Sequence, residues 1–442
     1  MNLRHRQTCR VCGSRELSPV INLGAQYLQG SFVKPGAASP PTRRIPVELV
    51  RCDVTRNENG CGLVQLAHSI PSTILYANYW YRSGTNATMR NHLTEVAKNA
   101  TAELGHREMS VLDIGCNDGT LLLQYPEGTR RYGVDPSDIA REIGGDAFVI
   151  NSTFPSLAVE KELPSGGLDI VTSIAVFYDV EDPVGFARAV ARLLKPDGIW
   201  VVEVSYMPLM LKQNSFDTIC HEHLEYYSLA SIEKIAALSE LRVFRASIND
   251  TNGGSICCYL CPAADVTRGT AEDREFLLRL QINEFQMALD SEVPYREFCE
   301  RAEQLRNDLR ALLARIRGDG NRIHIYGAST KGNVLLQWCG IDHSIVECAA
   351  DRNPQKAGSK TLGTDIPIVS EEESRRAKPD YYLVLPWHFR HEFLKREREL
   401  ILGGTKMIFP LPQIEIVTPE NLDGAIASSA RASTHLMDAL FE

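Results

Sequence analysis

The chain has 442 residues, enough for two or three domains with ample core, and its 44% hydrophobic and 23% charged content is that of a soluble globular protein. Its 47 Lys and Arg against 56 Asp and Glu give a net charge of −9, which argues against nucleic acid bound through the whole surface, although residues 1–60 hold nine basic and four acidic side chains. No apolar run reaches the roughly 18–20 residues that span a bilayer, no apolar signal segment follows Met1, and twelve scattered cysteines do not make a disulfide scaffold, so a cytoplasmic protein with neither membrane nor nucleic-acid partners is expected.

Residues 1–75 are expected to form a small separate module. Cys9-Arg-Val-Cys12 is a C-x2-C knuckle, and Cys52 and Cys61 add two thiols. Four thiolates suit tetrahedral Zn²⁺, which would staple a segment too small to build its own core. Eight residues part the second pair where a knuckle usually has two, but the polar, turn-rich stretch 53–60 can bulge out without separating the sulfurs. With no open position the metal would be structural; four reduced, unliganded thiols are the alternative.

Residues 76–268 read as alternating strands and helices. The aromatic run Tyr79-Trp80-Tyr81 precedes a helix expected from about Ala87 to Leu104, and is either packing or a flap that brings a phenol to a site. Strands are expected at 110–114, 131–135, 147–150, 168–174, 199–204 and 255–261. The first ends in Asp113 and passes through a glycine turn into a short helix, Thr120–Leu123; the second ends in Asp135. Two acid-terminated strands, the first followed by a turn without bulky side chains, suit a nucleoside laid across the sheet edge. Asp182-Pro183 opens a helix to about Leu194, which Lys195-Pro-Asp-Gly198 closes with a turn. The β-α repeat calls for a doubly wound sheet.

Between two strands lies Asp217-Thr-Ile-Cys220-His221-Glu222-His223-Leu-Glu225-Tyr226-Tyr227. Two imidazoles, two carboxylates and two phenols within a few residues fit acid/base work, in which a Glu beside a His fixes its tautomer and supports the imidazolium. A capped exposed turn and a metal site are the alternatives, the latter without a third ligand at helical spacing.

Residues 269–318 are expected to be an amphipathic helical connector, divided near Pro294, with Phe276, Leu277, Leu280, Phe285, Leu305, Leu309, Leu312 and Ile316 forming its buried stripe. A second α/β unit follows at 319–420. There Tyr326-Gly327-Ala328-Ser329-Thr330-Lys331-Gly-Asn333 leads from a strand into a helix whose amides, hydroxyls and Lys331 could hold phosphate, unless the turn is merely capped by its own hydroxyls. Strands ending at Asp351-Arg-Asn353 and before Trp387 complete the unit, and 421–442 reads as a small-residue, mobile tail.

The stretch Asp113-Ile-Gly115-Cys-Asn117-Asp118-Gly119 resembles motif I of the class I S-adenosylmethionine methyltransferases. By that resemblance Asp113, Gly115, Asn117, Asp118, Gly119, Asp135 and Pro136 hold S-adenosylmethionine. Together with Cys9-x2-Cys12, the 217–223 loop, Tyr326–Lys331 and Asp351–Pro354, it makes the chain similar over roughly residues 8–415 to the sugar C-methyltransferases, which make branched deoxysugars. The resemblance implies a zinc module, a central methyltransferase domain and a C-terminal Rossmann-like domain that holds a nucleotide sugar, in a monomer or homodimer. It implies His223 as general base with Glu222 beside it and His221 nearby, and a tyrosine, Tyr79 or Tyr81, closing the site. Tyr326, Gly327, Ala328, Ser329, Lys331, Asn333, Asp351, Asn353 and Trp387 would face the nucleotide sugar.

The chemistry implied is removal of a proton beside a 4-keto group, then methylation of that carbon, C3. Two positions depart from the family pattern. Cys220 stands where a Tyr is usual, and Asp179 (or Tyr178) takes the place of a His after the fourth strand. Three other readings use the same residues. They are an O- or N-methyltransferase on a nucleotide sugar or other small polar metabolite, a scaffold with an inactive methyltransferase fold, and a nicotinamide oxidoreductase using the 327–331 loop.

Overall fold

The computed structural model of the chain describes residues 3–36, 43–75, 81–105, 108–430 and 440–441. Its centre is a seven-stranded sheet in the spatial order Leu241–Asn249, Ser255–Pro262, Leu194–Ser205, Leu168–Ile174, Ser110–Ile114, Arg130–Val134 and Ala147–Ile150. From Leu194–Ser205 to Ala147–Ile150 the strands are parallel, and Ser255–Pro262 runs antiparallel to both of its neighbours. Chain order reverses between Ser110–Ile114 and Leu168–Ile174, so a crevice opens at their carboxyl ends. Leu168–Ile174 is buried along almost its whole length, its polar Asp169, Thr172 and Ser173 included, as befits a strand inside a parallel sheet.

Four details differ from the sequence reading. The strand Leu241–Asn249 is absent from that reading because Arg242 and Arg245 interrupt its apolar run; they are spent on the Asp265 and Arg268 carbonyls and on Glu103. Lys195–Gly198 is not a helix-closing turn but a bulge inside Leu194–Ser205, where the register jumps between the Leu168–Leu194 and Ile170–Ile199 pairs. A Cβ at Gly198 would lie 2.6 Å from the Leu168 carbonyl oxygen, so the bulge needs a glycine. Thr120–Leu123 gives only a 3-10 turn, Leu122–Gln124, because Tyr125 precedes Pro126 and is extended, with ψ 149°. The expected stripe of the connector is broken at Phe285, which is 82% exposed, while Leu277, Leu280, Leu309, Leu312 and Ile316 are buried.

The connector is two helices, Ala271–Gln286 and Val293–Gly318, with Pro294 in the first turn of the second. The C-terminal sheet has the order Ile368–Ser370, Ala349–Asp351, Ile323–Tyr326, Tyr381–Val384, Lys406–Phe409 and Glu415–Val417, parallel except for its last pair. Two parts of the expected tail are described. Leu422–Ala430 is a helix, and Leu440 is fully buried with its carbonyl accepting from Lys212 Nζ at 3.0 Å.

The N-terminal sheet joins Leu17–Gln26, Ile45–Cys52 and Val64–Leu66 to a strand from far along the chain, Glu225–Tyr226. Its apolar residues, among them Val20, Leu23, Val47 and Leu49, are buried in one continuous core with the helix Val293–Gly318 and the C-terminal sheet. A segment too small for its own core therefore borrows one. No helix among the described residues is long and apolar enough to cross a membrane.

Candidate active site

Three groups of elements converge on one cavity of about 1720 Å³. That exceeds the roughly 300–1,000 Å³ of an ordinary ligand pocket and leaves room for two ligands. One end is the crevice above the central sheet. Gly115 has φ +78°, and a Cβ there would fall 2.2 Å from Val176 Cγ2. The turn therefore presses on its neighbour in a conformation only glycine takes readily.

Asp113 accepts from Thr172 Oγ1 at 2.6 Å, and burial pushes its carboxyl up to about 7, with the Asp135 charge adding to the rise. Asp135 accepts from the Asn117 and Ser137 amides at 3.0 and 2.7 Å. Asp113, Gly115, Asn117, Asp135 and Pro136 line the cavity. Asp118 and Gly119 do not: the Asp118 carboxylate accepts from the Gly84 and Thr120 amides, which docks residues 81–84 on the turn. Asn117 helps, bonding the Ser83 amide and the Tyr81 carbonyl. Tyr81 lines the cavity, whereas Tyr79 lies outside the described residues.

The middle of the cavity is the 217–223 loop. Phe216 anchors it on Trp338, with ring centroids 4.7 Å apart, and Ile219 and Cys220 are buried. Just beyond it, Leu224 is clamped from both sides: its amide donates to the Tyr178 carbonyl at 2.7 Å, and its carbonyl accepts from the Leu66 amide at 2.9 Å. His223 is thereby fixed between the central sheet and the N-terminal sheet. Its Nδ1 lies 2.9 Å from the Thr218 carbonyl, which can only accept, so Nδ1 carries the proton and Nε2 keeps its lone pair. Burial first, and Lys331 second, push this imidazole down to about 3, so it is neutral at physiological pH.

Glu222 does not play the expected part of orienting His223; the Thr218 carbonyl does that. The Glu222 carboxyl faces the cavity beside Gly30, where a Cβ would fall 2.2 Å from Oε1, and burial raises it to about 7. His221 is not in the cavity wall. It is buried between Gln29 Oε1 and the Ile45 carbonyl, at 2.7 and 3.1 Å, and joins the loop to the N-terminal sheet. Asp179, Tyr178 and Cys220 do line the cavity, and the Tyr178 ring leans on His223 at 4.4 Å between centroids.

The far end belongs to the C-terminal sheet. Tyr326, Gly327, Ala328, Ser329, Lys331, Asp351 and Asn353 line it, but much of their polarity is already used. Tyr326 donates its hydroxyl to Glu397 at 2.7 Å. Ser329 caps its helix through the Gly332 amide. Asp351 accepts from the Ala328 amide at 2.9 Å and from Lys356 at 3.2 Å. Two expected substrate contacts are instead ties between units: Asn333 Nδ2 donates to the Gln29 carbonyl, and Trp387 Nε1 donates to Asp217 Oδ2 at 2.9 Å, both outside the cavity lining.

Apart from the cavity, the Sγ atoms of Cys9, Cys12, Cys52 and Cys61 lie within 4.8 Å of one another, with Cys9–Cys61 at 3.3 Å and Cys12–Cys52 at 3.5 Å. Four thiolates bound to zinc at about 2.3 Å stand roughly 3.8 Å apart, so the cluster fits that ion. The 53–60 insert bulges as expected, folded over Asp53, which accepts from Ser18 and Thr55. Sequence reasoning missed Arg10, inside the knuckle, which forms a buried ion pair with Glu225 at 3.3 Å, just past His223. It also missed Thr172, Thr218 and Gly30, whose roles depend on contacts between distant segments.

Three family models match successive parts of the chain. A zinc binding domain model matches residues 9–76, a methyltransferase domain model residues 88–245, and a C-methyltransferase C-terminal domain model residues 250–412. The C-methyltransferase NovU of Streptomyces niveus is 31% identical over 418 residues, covering 93% of this chain and 97% of the relative. A ubiquinone biosynthesis O-methyltransferase of Rhodopseudomonas palustris (strain TIE-1) is 33% identical over 98 residues, 21% of this chain and 39% of the relative. Among solved structures, magnesium protoporphyrin IX methyltransferase from Synechocystis PCC 6803 with bound SAM is 16% identical, covering 39% of this chain and 78% of that one, with a TM-score of 0.30.

Proposed function

The chain belongs to the C-methyltransferase family that includes NovU, and from that premise we propose that it methylates C3 of a nucleotide-linked 4-keto-deoxysugar with His223 as the base. It is an S-adenosylmethionine-dependent methyltransferase with a structural zinc site at Cys9, Cys12, Cys52 and Cys61. In this reading residues 76–268 hold the methyl donor, 319–420 hold the nucleotide, and 1–75 with 269–318 brace the two.

The observation that carries the reading is the His223–Thr218 hydrogen bond, which leaves Nε2 with its lone pair on a residue that lines a cavity with room for both substrates. A heteroatom needs little help to accept a methyl group, whereas a carbon must first lose a proton. His223 takes that proton at Nε2. Glu222, ionised above about pH 7, then offsets the imidazolium. Asp113 and Asp135 hold the donor end, and Cys220 with Tyr178 closes the wall around the reacting carbon. S-adenosylmethionine, when bound, supplies an electrophilic methyl on a positive sulfonium.

The test is calorimetry with S-adenosylhomocysteine and, separately, with TDP, GDP, UDP and CDP, followed by incubation with the 4-keto-6-deoxyhexose of the preferred nucleotide. One clear nucleotide preference and a new methyl signal on C3 by NMR are expected. Binding of S-adenosylhomocysteine with no nucleotide preference removes the sugar-nucleotide assignment, and a methyl on oxygen removes the carbon chemistry.

A further inference from the structure

Lys331 stands in the first turn of the helix Thr330–Cys339, a position usually taken as part of a phosphate cradle. Its ammonium does something else. It crosses from the C-terminal unit to the central one and donates to the Asn252 carbonyl at 2.8 Å. Among the described residues that is its one hydrogen bond, and no carboxylate lies within ion-pair distance of it, so two of its three N–H groups are without a protein partner, in a side chain that lines the cavity with His223, Cys220 and Asn252. Burial lowers the pKa of the ammonium; Asp217, on the loop that carries the base, opposes that shift and is itself held by Trp387.

A desolvated ammonium without a paired anion is costly to build. The cost is recovered when an anion arrives. The ammonium reaches across to Asn252 of the central unit, in the wall of the cavity that His223 and Cys220 also line, so the anion it suits is one that forms beside His223.

We propose that Lys331 is the electrophile of the reaction, binding the ketone oxygen of the sugar and holding the charge of the enolate; this rests on the function proposed above. The C–H bond next to the ketone breaks, its proton goes to His223 Nε2, and its electron pair forms the C=C bond while the carbonyl pair moves to the oxygen held by Lys331. The enolate carbon then bonds to the methyl, the S–CH3 bond breaks to leave S-adenosylhomocysteine, and the ketone re-forms. His223 returns its proton to solvent. The positive charge that lowers the basicity of His223 acidifies the substrate C–H by the same field, so the two effects belong to one arrangement.

The test separates enolisation from methyl transfer and from phosphate binding. Wild type, K331M, K331R and H223N, with S-adenosylhomocysteine bound, are incubated in D₂O with TDP-4-keto-6-deoxyglucose and with GDP-4-keto-6-deoxymannose, and uptake of deuterium at C3 is followed by NMR. In parallel, affinities for TDP, GDP and S-adenosylhomocysteine are measured by calorimetry. K331M is expected to lose about 10²–10³-fold in exchange rate, with nucleotide and S-adenosylhomocysteine affinities within twofold and K331R recovering part of the rate. Exchange in K331M at the wild-type rate overturns the proposal, as does a tenfold loss of nucleotide affinity with exchange intact at saturation, which makes Lys331 a phosphate ligand. No exchange in wild type, with both ligands bound, overturns the carbon-acid reading itself and the lysine's role with it. If K331M does not fold, K331R and K331Q decide the same question by charge: equal exchange rates in the two overturn it.

Discussion

The chain contains two strand-glycine-helix turns that look alike in sequence and are used differently. At Asp113–Gly119 the acid, the glycine turn and the second strand's Asp135 border an open crevice, with Asp113 held by Thr172 and Asp135 by the Asn117 and Ser137 amides, so that each is fixed within its own unit and still faces the crevice. At Tyr326–Lys331 the hydroxyl, the cap, the amide of Ala328 and the lysine are each engaged with protein, three of them within the C-terminal unit and one across the cavity. The first turn is laid out for a ligand. The second mostly joins parts of the protein together, and what it still offers a ligand is backbone, shape and one ammonium. A motif names a backbone geometry, and the neighbours decide which of its groups remain free.

That contrast can be tested at its centre and at both ends. H223N, between the two turns, is expected to lower kcat by about 10²–10⁴-fold while both ligands bind within twofold and the melting temperature holds; a folded variant with near-normal turnover removes His223 as the base. D135A removes the acceptor of the Asn117 and Ser137 amides. It should weaken S-adenosylhomocysteine by about 10- to 100-fold, on the scale of hydrogen bonds to a charged group, without touching nucleotide affinity. Loss of both affinities in calorimetry would mean that the two ends are not separate.

W387F is the converse case. It leaves Asp217 Oδ2 without its donor and should cost about 1–3 kcal/mol of stability in denaturant titration, with nucleotide affinity unchanged. A large loss of nucleotide binding would return Trp387 to the substrate.

The smallest effect is in pH. Burial raises Glu222 to about 7, and the role proposed for it requires the ionised form, so kcat/KM should rise roughly tenfold between pH 6 and 8 and flatten in E222Q. Stability runs the other way: a carboxyl raised above its unfolded value binds more protons when folded, so its contribution fades as pH rises from about 4.5 towards 7. A rate that falls over this range would make Glu222 a proton donor instead.

The sheet of the methyltransferase unit was legible because its parallel strands are rich in buried apolar residues and its turns carry glycine and acids at required places. The strand Leu241–Asn249 was not, since its arginines answer partners elsewhere in the chain. The four zinc ligands could be read from the thiols alone, because tetrahedral geometry tolerates an eight-residue bulge. The loop 217–223 announced chemistry by its density of titratable groups, yet not which imidazole was free. His221 and His223 are two residues apart, and their fates were set by Gln29 and Ile45 on one side and by Thr218 and the cavity on the other. No local pattern carries that distinction.

The pairing of Glu225–Tyr226 with Val64–Gln65 has a bearing on how the chain is made. When residues 1–76 leave the ribosome, four cysteines can already capture a metal, but the sheet beside them has an unfilled edge at Val64–Leu66 until about 150 more residues have been added. The N-terminal module is thus nucleated early and closed late. A fragment ending before Tyr226 should bind zinc and still aggregate through that edge, whereas one long enough to supply the strand gives His223 its support in the same step that completes the sheet.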